Sequence, residues 1–222
     1  MAEDRAQRIL ETLRTAFPMP KWASSSRTPF KTLIVTIISQ NTADKNTARA
    51  FENLSNKFEI TSEALAKAKT SQIEECLKTA GLYRQKAKTI KQVSRIVHEK
   101  YRDDLNRILE LPIEEARETL LQFPGVGPKT ADVLLLFSGQ KPTIPVDTHV
   151  NRVSKRLGLA PVNGDYEAVR ESLQALFRSK DYLTVHVLLI QLGRRYCKAR
   201  RPLCNECPVN TFCPSRNLWF RQ

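Results

Sequence analysis

Apolar residues recur along this chain every three or four positions almost from end to end, the period of an amphipathic helix. In "AEDRAQRILETLRTAF", Ile9, Leu10, Leu13 and Phe17 fall on one stripe, and Pro18 ends it. "TPFKTLIVTIISQ" offers Thr28 as an N-cap and Pro29 in the first turn, then becomes strongly apolar. "TADKNTARAFENLSNKF" sets Ala48, Phe51, Leu54 and Phe58 at helical spacing. "TSEALAKA" and "TSQIEECLKTA" each open on Thr-Ser, as short capped helices do, with Gly81 closing the second. Tyr83 to Tyr101 reads as one long helix. Helical patterns then continue through "PIEEARETLLQF", "KTADVLLLFSG", "DTHVNRVSKRLGL", "DYEAVRESLQALF" and "DYLTVHVLLIQLGRRYC". No alternating strand, hairpin signal or fixed-period repeat interrupts them. The pattern predicts an all-α fold with short connections.

Composition bounds what such a fold can be. At 222 residues and 41% hydrophobic, the chain can bury a core for one or two compact domains. It has no run near the ~18 apolar residues of a membrane span, and its charged, helical opening is unlike a secretory signal. The expectation is a soluble intracellular protein. A net charge of +13 adds a partner class, because such an excess attracts polyanions, and nucleic acid first among them. The charge is also clustered. Gln191 to Gln222 carries seven Lys/Arg against Glu206 alone. "RQKAKTIKQVSRIVHEKYR" carries Arg84, Lys86, Lys88, Lys91, Arg95, Lys100 and Arg102 against Glu99. Two concentrated segments suit a surface that tracks phosphates.

"FPGVGPKTADVLL" contains the candidate chemistry. A nucleotide-gripping loop needs Gly before its lysine and a strand before the loop; here Pro128 precedes Lys129, and a helix precedes the hairpin. What remains is helix, glycine hairpin, helix. Gly125 and Gly127 can take positive φ and admit another molecule's close approach. Pro128 pre-sets the next helix, whose dipole and N–H groups favour a phosphodiester irrespective of sequence. A lysine at that helix start, partly desolvated among basic residues, is disfavoured as an ammonium. It is either a phosphate contact or an amine nucleophile. In "PVDTHVNRVSKRLGL", Asp147 reads as a helix N-cap, held ionised by the free N–H groups. Cys197, Cys204, Cys207 and Cys213 have the spacing C-x6-C-x2-C-x5-C, which allows a structural zinc site or an iron–sulfur cluster and fits disulfides poorly. Cys76 stands apart as a small buried hydrophobe.

"FPGVGPKTADVLL" resembles the helix-hairpin-helix of the DNA base-excision glycosylases, and "PVDTHVNRVSKRLGL" their catalytic-aspartate segment. With the terminal cysteines, nearly the whole chain resembles the endonuclease III branch. The resemblance implies two helical lobes: residues 28–141 as a continuous domain carrying the hairpin at about 112–138, and 1–27 with 142–222 as a discontinuous domain carrying the cluster loop. It implies a bifunctional glycosylase and AP lyase, with Lys129 as Schiff-base nucleophile and Asp147 as the essential acid. Oxidised pyrimidines and abasic sites are the implied substrates. Cys197, Cys204, Cys207 and Cys213 would hold a 4Fe-4S cluster. Gly125, Val126, Gly127 and Thr130 would contact DNA through the hairpin, and Lys198, Arg200 and Arg201 through the cluster loop. Leu82 would wedge beside the orphaned base while either Gln40 or Asn41 fills the vacated space. Double-stranded DNA bearing a damaged base or abasic site is the implied partner of a monomer. The compartment would be cytoplasmic, near the nucleoid, or nuclear. A mismatch glycosylase, a non-catalytic DNA-binding module and a P-loop nucleotide enzyme, the last disfavoured by Pro128, are the alternatives.

Overall fold

The computed structural model describes residues 2–20, 23 and 28–218, and among them the regular structure is helical with no strand. In chain order come α1 (Ala2–Ala16), α2 (Pro29–Ser39), α3 (Asp44–Lys57), α4 (Ser62–Lys67), α5 (Thr70–Cys76) and α6 (Tyr83–Tyr101). Then follow α7 (Asn106–Leu109), α8 (Ile113–Leu121), α9 (Pro128–Phe137), α10 (Thr148–Arg156), α11 (Tyr166–Leu176) and α12 (Tyr182–Arg195). Two compact units emerge: Ser26–Lys141, holding α2 to α9, and Met1–Ser25 with Pro142–Gln222, holding α1 and α10 to α12.

The core of the first unit is organised on α2. Thr28 Oγ1 accepts the Lys31 N–H at 3.4 Å and Pro29 takes the first helical position. Leu33, Ile34, Ile37 and Ile38 are all fully buried, as in a helix wrapped by others. α3 packs on it through Thr47, Ala50 and Leu54, with Phe51 and Phe58 at the core's edge. Ala48, expected on this stripe, is exposed, so the buried face is rotated by one residue toward the small side chain of Thr47. α5 stops at Cys76, and Gly81 lies five residues further on, within the following turns, rather than closing the helix. A Cβ at Gly81 would sit 3.3 Å from the Asn41 carbonyl oxygen, which explains a glycine there. α7, only four residues long, is too short to show a helical period.

In the second unit, Ile9, Leu10, Leu13 and Phe17 bury the predicted stripe. Arg5 donates to the carbonyls of Leu157 (2.8 Å), Gly158 (2.8 Å) and Phe212 (3.0 Å), fastening α1 to the end of α10 and to the Cys-rich segment. A Cβ at Gly193 would lie 2.9 Å from His149, so α10 and α12 approach closely. No helix among the described residues is long and apolar enough to cross a membrane.

Candidate functional site

The hairpin joins α8 to α9. Phe123 and Val126 plug it into the core. Gly125 has φ +70°, and a Cβ there would meet Thr89 Cγ2 of α6 at 2.7 Å. Gly127 behaves differently. Its φ is −95°, an ordinary extended value, and a Cβ would meet nothing within 4 Å. Only one of the two glycines therefore needs the left-handed region; the other leaves an open face at the start of α9. Val126 and Thr130 lie deeper in the hairpin. As whole residues they are 5% and 3% exposed, and their N–H groups donate to Phe123 O (3.1 Å) and Gly127 O (2.9 Å). Both help to shape the hairpin. Lys129 is half-buried in the first turn of α9. One turn on, Asp132 is fully buried and paired with Arg117 of α8 at 3.0 Å, which locks the two hairpin helices together. An ion pair this sheltered holds its partners in one geometry, since losing either would strand a buried charge.

The segment after α2 lies against this hairpin. Gln40 Nε2 donates to Gly125 O at 2.9 Å and to Thr130 Oγ1 at 3.3 Å. Asn41, next in sequence, is exposed at φ +51°. Leu82, the N-cap of α6, is 60% exposed at φ +57°. Both non-glycine residues pay a strain cost, ~1–2 kcal/mol each, for left-handed backbone. At Leu82 this strained backbone presents an apolar side chain to solvent, and strain of that kind gathers at functional positions. Of the basic residues in α6, Arg84, Lys88, Arg95 and Lys100 are exposed, but two are not available to phosphates. Lys91 donates to the Ala68 carbonyl. Lys86 is 4% exposed and donates to Ile38 O (2.8 Å) and Thr42 Oγ1 (2.6 Å), and burial pushes its ammonium below the usual range. The sequence carried a signal for Lys86, which falls on the apolar stripe of Ile90, Val93 and Val97 at spacings of four, seven and eleven.

In the other unit, Asp147 caps α10, with Oδ1 accepting the Val150 N–H at 2.7 Å. It lines an open pocket of about 260 Å³ with Asn151, Lys155 and Tyr166. His149 packs at Gly193 and meets Arg152 Nη2 at 3.1 Å; burial lowers its pKa. The far end of α10 grips the Cys-rich segment. Arg152 donates to Cys197 O (2.9 Å), while Arg156 donates to Lys198 O (2.7 Å), Ala199 O (3.1 Å) and Cys197 Sγ (3.5 Å). Cys197, Cys204, Cys207 and Cys213 line one cavity together. Burial pushes the Cys207 thiol up to about 11 and raises those of Cys204 and Cys213. Thiolates there need a cationic centre to hold them, and four sulfurs with an arginine N–H beside one of them fit an iron–sulfur cluster. Lys198, Arg200 and Arg201 are exposed on the loop between the first two cysteines.

A helix-hairpin-helix with a lysine in its second helix, an aspartate-capped helix and a four-cysteine loop together define a class of DNA-repair protein. Residues 34–179 match the model of the HhH-GPD superfamily base excision DNA repair protein, and residues 197–213 match the iron-sulfur binding domain of endonuclease III. Endonuclease III of Thermotoga maritima is 39% identical over 83% of this chain and 82% of its own length; that of Sulfolobus acidocaldarius is 36% identical over 85% and 82%. A solved endonuclease III–DNA covalent intermediate superposes with a TM-score of 0.87 at 29% identity, covering 99% of both chains. The chain belongs to the endonuclease III family. It is a DNA-binding repair enzyme, a DNA glycosylase and AP lyase, with a 4Fe-4S cluster as its cofactor.

Proposed function

We propose that this enzyme, acting as a monomer on chromosomal DNA, excises oxidised or ring-saturated pyrimidines such as thymine glycol and 5-hydroxycytosine from duplexes, then cuts the strand at the abasic site. Lys129 Nζ, deprotonated, attacks C1′ of the deoxyribose. The C1′–N bond breaks and the base leaves with its electron pair. Loss of a proton from nitrogen and opening of the sugar give the Schiff base. Removal of the C2′ proton then expels the 3′ phosphate. Asp147, as carboxylate, stabilises positive charge at C1′ and assists these proton transfers. The observation that carries this reading is the half-buried Lys129 in the first turn of α9, directly beyond the open face of Gly127. The covalent intermediate trapped for its structural relative supports it.

Leu82 enters the stack as the wedge. Asn41 fills the vacated space, because the Gln40 amide is spent on the hairpin while Asn41 is exposed. Cys197, Cys204, Cys207 and Cys213 would hold the cluster as four thiolates, and that cross-link would fix the loop that presents Lys198, Arg200 and Arg201 to phosphates. Single-turnover excision on a panel of duplexes tests the substrate assignment. Thymine glycol and 5-hydroxycytosine should be released faster than thymine mispaired with guanine, and the reverse order would replace this reading with a mismatch glycosylase.

A further inference from the structure

Lys86 has no place in the chemistry above, yet it is the most deeply buried of the α6 cations. Burying an ammonium is expensive unless its donors are satisfied, and a methionine of similar length would fill the space without that cost. What the charge does here is visible in its partners. Lys86 stands one turn into α6, and its own N–H bonds the Leu82 carbonyl at 3.0 Å. Its side chain reaches across to Ile38 O and Thr42 Oγ1, which bracket Gln40 and Asn41. Gln40 in turn donates to Gly125 O and Thr130 Oγ1 of the hairpin. One hydrogen-bonded chain thus runs from the start of α6, through the segment after α2, into the turn that precedes Lys129.

We propose that Lys86 is a positioning residue for nucleotide extrusion: its buried ammonium ties the Leu82 turn to the Asn41 segment, so that both enter the duplex as one rigid wedge in fixed register with the hairpin. This rests on the roles given above to Leu82 and Asn41. The backbone strain at both residues fits the role, since left-handed non-glycine positions persist only where surrounding bonds over-determine them. The two turns are also direct neighbours, since a Cβ added at Gly81 would lie 3.3 Å from Asn41 O.

The test uses the whole protein and two readouts. In the first, 2-aminopurine opposite a stable abasic analogue reports insertion by fluorescence at saturating protein, with no chemistry required. In the second, borohydride trapping compares an abasic site in a duplex with one in a single strand, where no wedge is needed. Lys86→Met should lose most of the fluorescence change and slow duplex trapping by about tenfold or more, the scale of small misplacements, while leaving single-strand trapping within about twofold. Lys86→Arg should recover part of both. Thr42→Val removes one acceptor with little change in volume; it should show the same selective duplex defect to a lesser degree and guards against a misfolded Lys86→Met. A wild-type fluorescence response from Lys86→Met or Thr42→Val, or equal loss on both substrates in Thr42→Val, overturns the inference. If the wild type gives the fluorescence response but traps no adduct, the lysine chemistry fails and the wedge assignment stands.

Discussion

Two glycines a residue apart do different work, and substituting each should separate them. Gly125→Ala forces a Cβ into left-handed backbone and against Thr89, so it should cost about 1–2 kcal/mol of stability and distort the hairpin. Gly127→Ala has ordinary backbone and open space, so its melting temperature should hold while DNA affinity falls, as a methyl intrudes where a phosphate approaches. Unchanged affinity in Gly127→Ala, measured by fluorescence anisotropy, would count against the hairpin as a phosphate site. The sequence made both glycines legible as a turn but could not distinguish them, because φ depends on what packs behind the turn. The same limit applies to Val126, Thr130 and Lys86. Residue type announces a donor or a charge, whereas its direction is set by neighbours far along the chain. Asp147 was easier to read, since an N-cap is a local device involving residues three apart.

Helices transmit these local arrangements, and α10 is the clearest case. Its first residue follows the Asp147 cap, while Arg152 at its middle and Arg156 at its end hold the Cys-rich loop. The two roles of Asp147 can be pulled apart by substitution. Asn caps about as well as Asp, so Asp147→Asn should unfold within ~0.5 kcal/mol of the wild type yet lose base excision. Asp147→Ala should lose excision and also ~1 kcal/mol. Denaturant unfolding alongside single-turnover excision checks both; full excision by Asp147→Asn would remove the charge from the mechanism. Long periodic helices such as α6 and α12 were legible because many residues vote for one face. α7 and the end of α5 were not, since a turn or two of helix is decided by tertiary packing rather than by period. In α3 the sequence does not separate Thr47 from Ala48, because both are small enough for the interior, and packing selects Thr47.

At the scale of the whole molecule, charge and covalent chemistry make separate claims. A net charge of +13, with exposed cations on α6 and on the Cys-rich loop, predicts binding dominated by phosphate neutralisation. With about six phosphates neutralised, affinity should fall about a thousandfold between 50 and 200 mM salt. A nearly flat dependence would remove the basic segments from the interface. The division into Ser26–Lys141 and the remainder is less directly encoded, because the second unit joins segments from both ends of the chain and no local signal marks that pairing. If Lys129 is the nucleophile, its amine becomes covalently attached to the sugar. Borohydride reduction on abasic duplex DNA, followed by mass spectrometry of the cross-linked peptide, measures it directly. A single adduct is expected at Lys129, absent from Lys129→Gln; an adduct on any other residue, or one that survives that substitution, rules Lys129 out as the nucleophile.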